Sequence, residues 1–287
     1  MKRKEEKIFF VVVKSIAFLS VAILCLILLF ILKESLPIFK NTSLFNFILN
    51  NSWNVLEDSS NFSIFNFIVG TFYVTFVAVI IAMPIGVCCS IFLSNIAPSG
   101  VRKILKPFID MLSGIPSVVY GFIGLSVLVK FFEDKFSMSQ GECVLSAGII
   151  LAIMILPFII SNCTDTMIKV YNKYYMYSKA LGVSKWYMLN NLVIRASKKA
   201  ILASTILAVG RGMGETMAVM MVMGNSPIFP KLLGKGETIP SLIALEMGSS
   251  QVGSMHYHAL FASGFVLMII LLIINTLFYK IKKSIDI

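Results

Sequence analysis

The sequence predicts an all-α integral membrane protein with six transmembrane helices and both termini in the cytoplasm. Hydrophobic residues make up 57% of the 287 and charged residues 14%, and the mean hydropathy is +0.88, a balance foreign to a soluble domain of this length. A helix needs about 20 apolar residues to cross the hydrocarbon core. Six stretches meet that need: Ile8–Leu32, Ile64–Ser94, Pro107–Phe132, Val144–Asn162, Ala200–Gly224 and Ala259–Tyr279. Lys and Arg divide seventeen to six between the two sets of connecting segments. The richer set, which includes both termini, is the cytoplasmic one because translocating positive charge is disfavoured.

Ile8–Leu32 is longer than the roughly 7–15 apolar residues of a cleavable signal, so it reads as a retained helix. The polar, Asn-rich segment Lys33–Ser63, with Trp53, reads as an outer lid or docking loop. The third span holds Gly114, Pro116, Gly121 and Gly124. Proline removes a backbone donor and glycine relaxes the local geometry, so this helix is expected to be kinked or locally unwound. Such breaks often surround substrate sites in membrane proteins. Pro84 and Pro157 read as ordinary membrane-helix prolines, and Asp110 as a solvated residue near the cytoplasmic entry. Only Glu133–Cys143 separates the third and fourth spans, which makes them antiparallel neighbours.

The cytoplasmic segment Thr164–Lys199 carries Tyr171, Tyr174, Tyr175, Tyr177, Trp186, Tyr187 and seven basic residues. Helical stretches flank Ala180-Leu181-Gly182-Val183-Ser184, where Gly182 suits a left-handed helix end and Ser184 an N-cap. A helix–turn–helix that projects from the membrane suits a soluble partner. The outer segment Asn225–Tyr257 contains Pro227, Pro230 and Pro240, so it is not one regular helix.

Within the fifth span lie Arg211 and Glu215. A charge at the bilayer centre costs roughly 2.5–3.5 kcal/mol on insertion scales, so the pair calls for an explanation. At 100° per residue, Ser204, Ala208, Arg211, Glu215, Ala218 and Val222 share a narrow arc of one helix face, with Thr216 alongside. Gly210 and Gly214 form a GxxxG pair that would let a neighbouring helix approach. Two readings fit: a lined pathway, or an interhelical ion pair that fixes packing. Met217, Met220, Met221 and Met223 read as flexible apolar packing.

Several classes are excluded. Cys25, Cys88, Cys89, Cys143 and Cys163 show no paired spacing, so neither a disulfide framework nor a zinc site is indicated. His256 and His258, an HxH without nearby carboxylates or thiols, make a weak metal site and read as loop residues near the membrane surface. The net charge of +11 is mostly a topology signal, with some attraction to anionic membrane lipids, and no nucleic-acid partner is expected. No Gly-x-x-x-x-Gly-Lys-Ser/Thr loop occurs, and no arrangement of nucleophile and base supports an enzyme.

Three motifs carry a family resemblance. Tyr177–Trp186 resembles the cytoplasmic "EAA" loop of ABC importer permeases, in which an alanine-leucine-glycine turn fits a cleft in the ATPase subunit. Gly114–Gly121 (GIPSVVYG) and Gly210–Val219 (GRGMGETMAV) resemble signatures of the phosphate ABC transporter permeases, and the Glu-Thr-Met-Ala-Val ending favours PstC over its PstA partner. Ala259-Leu260-Phe261 and Asn275 also fit. The resemblance covers roughly residues 65–280. It departs at Met176, where the family loop has glutamate, and at Arg195, where it has proline.

The resemblance implies a MetI-like permease core over 65–287, with its coupling loop at about 164–199, preceded by a helix and outer loop over 1–64. It implies plasma-membrane phosphate import with no cofactor in this chain, the ATP and Mg being used by a separate subunit. Implied partners are a PstA-like second permease, two PstB-like ATPases, a PstS-like phosphate-binding protein and phosphate itself. Arg211, Glu215, Ser204 and Thr216 would line the pathway. Gly114, Pro116, Ser117 and Gly121 would form its helix break, and Ser178, Lys179, Ala180, Leu181, Gly182, Val183 and Ser184 would couple to the ATPase. In that setting arginine suits an oxyanion, since guanidinium stays charged and engages two oxygens at once. Glu215 would neutralise Arg211 in the empty pathway or accept a hydrogen bond from a protonated phosphate oxygen. Alternatives are a PstA-type subunit, a permease for another oxyanion, a membrane enzyme acting on a lipid phosphate, and a scaffold.

Overall fold

A computed structural model describes residues 2–50, 52–55, 62–136 and 138–284, with side chains described within 9–280. Every regular element among the described residues is helical: α1 (Lys2–Asn41), α2 (Leu44–Leu49), α3 (Phe65–Ile91), α4 (Ser99–Leu112), α5 (Ser117–Ile123), α6 (Lys130–Phe136), α7 (Val144–Ala180), α8 (Lys185–Met188), α9 (Ile194–Met213), α10 (Met217–Met223), α11 (Ile239–Glu246) and α12 (Met255–Ser284). Short π-helical turns at Gly124–Val129 and Leu189–Val193 join successive helices without a break, and one at Phe92–Ile96 prolongs α3 before the extended residues Ala97 and Pro98 lead into α4.

Four helices are long and apolar enough to span a bilayer, in α1, α3, α7 and α12, and a fifth arises if the bent pair α4 and α5–α6 counts as one span. Two sequence expectations are thereby corrected. Pro107–Phe132 is not one helix, because Ser99–Leu112 and Ser117–Phe136 meet at 92° across the Gly-Ile-Pro segment. The stretch Ala200–Gly224 is likewise divided into α9 and α10. α9 begins earlier than that stretch and includes Arg195, Lys198, Lys199 and Arg211, which dilute its apolar run below what the other spans show.

Two further elements are longer than expected. α1 continues past Lys33 to Asn41, so the outer loop begins later than the charge pattern suggested. Ser35 and Ile38 are buried in this extension. α7 runs unbroken from Val144 to Ala180, about 55 Å at 1.5 Å per residue, so the fourth span and the first coupling-loop helix are one rod. No helix stop occurs at Arg195, and α9 continues through it.

The main core lies around α7, which is packed against α3, α9 and α10; Leu151, Ile155 and Ala147 of α7 meet Ala78 of α3, Ala208 of α9 and Val222 of α10, all fully buried. A second cluster, with Ile38, Phe47, Ile64, Phe67, Leu242 and Leu260, fastens the end of α1 and the α2 region to α11 and α12. Gly148 makes the α3–α7 approach possible, since a methyl there would stand 2.4 Å from Val77 Cγ1.

Candidate functional site: two broken helices and an exposed turn

The two helix breaks lie side by side. After Leu112 the chain turns through Ser113–Ile115 with Gly114 N–H donating to Met111 O at 3.0 Å and Ile115 N–H to Leu112 O at 3.3 Å. Pro116 then opens α5 in extended backbone, and Ser117 is its first residue. Pro116 needs no donor there, which is why proline suits the start of a helix. The Tyr120 hydroxyl donates back to Leu112 O at 2.9 Å, strapping α5 to the end of α4. Gly121 presses on α10, where a Cβ would stand 3.1 Å from Ala218 Cα and 2.7 Å from Met221 Sδ. Gly124 abuts Val222 and Ile150 in the same way. The kink expected from the glycine and proline content is present and is held against the second break.

That second break separates Arg211 from Glu215. α9 ends at Met213, Gly214 follows, and Thr216 precedes α10. The Glu215 N–H donates to Gly212 O at 3.2 Å, and Thr216 Oγ1 donates to Gly214 O at 3.4 Å. The Glu215 carboxylate accepts from Ala218 N–H at 3.3 Å. It therefore sits over free amides of the first turn of α10, where negative charge is favoured. Among the described residues no ion pair joins Arg211 to Glu215. The expectation of two charges one turn apart on a continuous helix is corrected: the chain leaves α-helical geometry between them, and the acid is occupied by backbone.

Arg211 is exposed, on a face this chain leaves open, and lies within Coulombic range of Tyr120. Ser204, Ala208, Ala218 and Val222 are instead buried. The Ser204 hydroxyl donates to Ala200 O at 2.8 Å. Gly210 has no neighbour within 4 Å and Gly214 meets only its own turn, so the expected GxxxG contact is absent. The packing glycine is Gly212, 3.3 Å from Thr75 Cγ2 when a Cβ is built.

At the far end of α7 the turn expected from sequence is formed. Gly182 has φ +66; its N–H donates to Lys179 O at 3.2 Å, and Val183 N–H donates to Ser178 O at 2.9 Å. These two bonds make a Schellman helix end. Ser184 caps α8, its side chain accepting from Tyr187 N–H at 3.3 Å. Leu181 and Trp186 stand 78% and 67% exposed at the tip, which is unusual for large apolar side chains clear of a bilayer-length helix. Ser178 is buried, whereas Lys179 and Ala180 are exposed.

Residues 86–286 match the family described as binding-protein-dependent transport system inner membrane component. The chain belongs to this family. Its relatives include the probable ABC transporter permease protein YqgH of Bacillus subtilis, 36% identical over 78% of this chain and 72% of that one. The phosphate transport system permease protein PstC of Xylella fastidiosa is 34% identical over 78% of this chain and 74% of its own length. The probable phosphate transport system permease protein PstC of Methanocaldococcus jannaschii is 32% identical over 90% and 88%. In fold, the chain resembles the inward-facing MetNI methionine ABC transporter, with TM-score 0.58 and 13% identity over 75% of this chain and 93% of that one. The binding-protein-dependent permease is thus a multi-pass transporter subunit, and the MetI-like fold expected from the motifs is present.

The opposite end of this permease holds a cluster that the sequence did not disclose. Trp53 Nε1–H donates to both Glu246 oxygens, at 3.2 and 3.0 Å, and His256 Nε2 lies 2.7 Å from Glu246 Oε2 while its ring stacks on Phe62. His258 Nδ1 lies 2.8 Å from Glu34 O. The reading of these histidines as loop residues without carboxylates is corrected, since both belong to α12 and each has a glutamate beside it. Among the described residues no group of three such side chains is placed to hold a metal. Glu237 is buried nearby, and burial, reinforced by Glu246, pushes its carboxyl up to about 7. Nothing in local spacing marks Glu237 or Glu246, because the partners that define them come from distant segments.

Proposed function

We propose that this chain is a PstC-type permease subunit of an ATP-driven importer of inorganic phosphate. The supporting observation is the pair of adjacent helix breaks that leaves Arg211 on an open face, taken together with the PstC relatives. α9 and α10 serve together as a broken sixth span, and the excess of Lys and Arg places the Gly182 turn and both termini in the cytoplasm. A second, PstA-like permease covers the open face, so that Arg211 lines a passage between the two chains. Its guanidinium makes that passage tolerable for an anion delivered by an extracytoplasmic PstS-like binding protein.

Glu215 acts differently from an arginine counter-ion. By holding the start of α10 it keeps the break in place, and Thr216 and Ser204 belong to the same passage. The exposed tip around Leu181 enters a PstB-like ATPase, and ATP binding there, with its Mg, moves α7 and α9 as levers because both run unbroken from the turn into the membrane. Co-reconstitution of the chain with these partners in vesicles tests the reading. ATP-dependent uptake of radiolabelled phosphate is expected, and a complex that assembles and hydrolyses ATP without moving phosphate contradicts it.

A further inference from the structure

α4 lies across the direction of the helices that follow it. Ser99–Leu112 and Ser117–Phe136 meet at 92°, and the second of these is about 30 Å long, the thickness of a hydrocarbon core. α5 and α6 therefore cross the bilayer without help from α4, and with no length to spare they stand close to the membrane normal. α4, at right angles to them, lies close to the membrane plane. Its depth follows from α7. Lys106 is ion-paired with Asp165, which stands about 32 Å along α7 from Val144, where that rod leaves the hydrocarbon. In the orientation argued above, this is the cytoplasmic face.

The sequence of α4 divides cleanly around its axis. At 100° per residue, Val101, Ile104, Leu105, Phe108, Met111 and Leu112 fall within an arc of about 120°, and Arg102, Lys103, Lys106 and Asp110 within an opposite arc of about 100°. No residue of α4 is buried; Ile104 and Phe108 are each 62% exposed and Met111 71%. An uncovered apolar patch of this size marks a contact surface. Both ends of the helix are tied to the chain, since the Arg102 side chain donates to Leu93 O and Ser94 O at 2.7 Å and the Tyr120 hydroxyl donates to Leu112 O at 2.9 Å. Arg102 and Lys106 are thus engaged within the chain, whereas Lys103 is exposed and no described residue holds it.

We propose that α4 is a surface helix rather than half of a span, and that its apolar arc rests in the acyl boundary of the inner phospholipid leaflet. At that depth a helix in the membrane plane has hydrocarbon on one side and water on the other, which is the division its residues show, and such faces sink about 5–10 Å into the boundary. Lys103, on the polar arc, meets the anionic phosphates of the headgroups. The composition of the arc favours lipid over a neighbouring permease helix, because helix contacts within membranes are rich in small residues and this arc holds only large ones. The proposal does not depend on which anion the permease carries.

The test uses the assembled transporter in vesicles of phosphatidylglycerol and phosphatidylcholine, with a nitroxide amino acid at Val101, Lys103, Phe108 or Leu112, one position at a time. Power-saturation EPR compares collisions with oxygen, which concentrates in hydrocarbon, and with a water-soluble nickel chelate. Oxygen is expected to dominate at Val101, Phe108 and Leu112, at depths within about 5 Å of one another, and the chelate to dominate at Lys103. A helix that crosses the leaflet would separate Val101 from Leu112 by about 16 Å, and that result overturns the proposal. So does exclusion of both reagents from Phe108, the mark of a covering protein, or access of the chelate all along the arc. Should a nitroxide prevent assembly, p-benzoylphenylalanine in place of Phe108 gives a second measurement with a side chain of related shape. Irradiation is expected to attach phospholipid, identified by its mass at residue 108; attachment to another subunit, or to nothing, overturns the proposal.

Discussion

Gly121 of α5 lies against Ala218 of α10 so closely that a methyl group added to it would stand 3.1 Å from the Ala218 Cα. This contact joins the two broken helices. Gly121→Ala is expected to force α5 away from α10 and to cost about 1–3 kcal/mol, the usual range for overpacking. Gly114→Ala, which meets only its own turn at 3.4 Å, is expected to cost much less. Thermal unfolding of the two variants in one detergent checks the difference, and equal losses would mean that the α5–α10 contact does not hold the breaks together.

The separate roles of Arg211 and Glu215 predict separate phenotypes. Glu215→Ala removes the acceptor for Ala218 N–H and a negative charge at a helix start, for an expected loss of about 0.5–2 kcal/mol. Arg211→Ala removes an exposed side chain with no ion-pair partner among the described residues, so stability is expected to change by about 0.5 kcal/mol or less. Denaturation of both variants decides the matter. A matching loss, abolished in the double variant, would restore the ion-pair reading that the sequence first suggested.

How much of this was legible in advance differs from element to element. The Gly182–Ser184 turn was, because a left-handed glycine and a serine cap are local requirements that the chain states within a few residues. So was a break near Pro116. The second break was not: GRGMGETMAV reads as continuous helix by periodicity, and its interruption depends on Gly121 and Gly124 admitting α10 from another part of the chain. Trp53 and His256 were read as residues of separate outer segments, and their common partner Glu246 was not seen, as these hydrogen bonds link positions 193 and 10 residues apart.

Glu237 predicts a pH dependence with a definite sign. Its carboxyl is raised from 4.5 to about 7 by burial and by Glu246, so the closed segment holds a proton that the opened one releases. The contribution is therefore full below about pH 4.5 and is lost as the pH rises to about 7, a change on the order of 3 kcal/mol. The segment is held to α3 by Asn66 Nδ2–H donating to Pro227 O at 2.8 Å and Ile239 N–H donating to Thr71 Oγ1 at 3.1 Å. Amide exchange across residues 225–240, corrected for intrinsic pH effects, is expected to show progressively easier opening over this range. In Glu237→Gln the trend should vanish, and its persistence would place the titrating group elsewhere.

At the other end of the molecule, the Gly182 turn offers two contrasting substitutions. Gly182→Ala meets no atom within 4 Å but must hold φ +66, which costs roughly 1–2 kcal/mol for a residue with a Cβ. Leu181→Asp, at a 78% exposed position, is expected to leave folding unchanged and to abolish co-purification with the ATPase subunit. Retention of the ATPase at the wild-type ratio would show that the tip is not the docking point.

The most direct test of the central claim is ATP-dependent phosphate uptake by the co-reconstituted complex containing Arg211→Ala. Uptake is expected to fall at least about tenfold, corresponding to 1.4 kcal/mol or more of lost anion stabilisation, while the ATPase subunits remain bound and active. Undiminished uptake with that substitution would contradict the account, because the open face between the two breaks would then carry no charge that the anion requires.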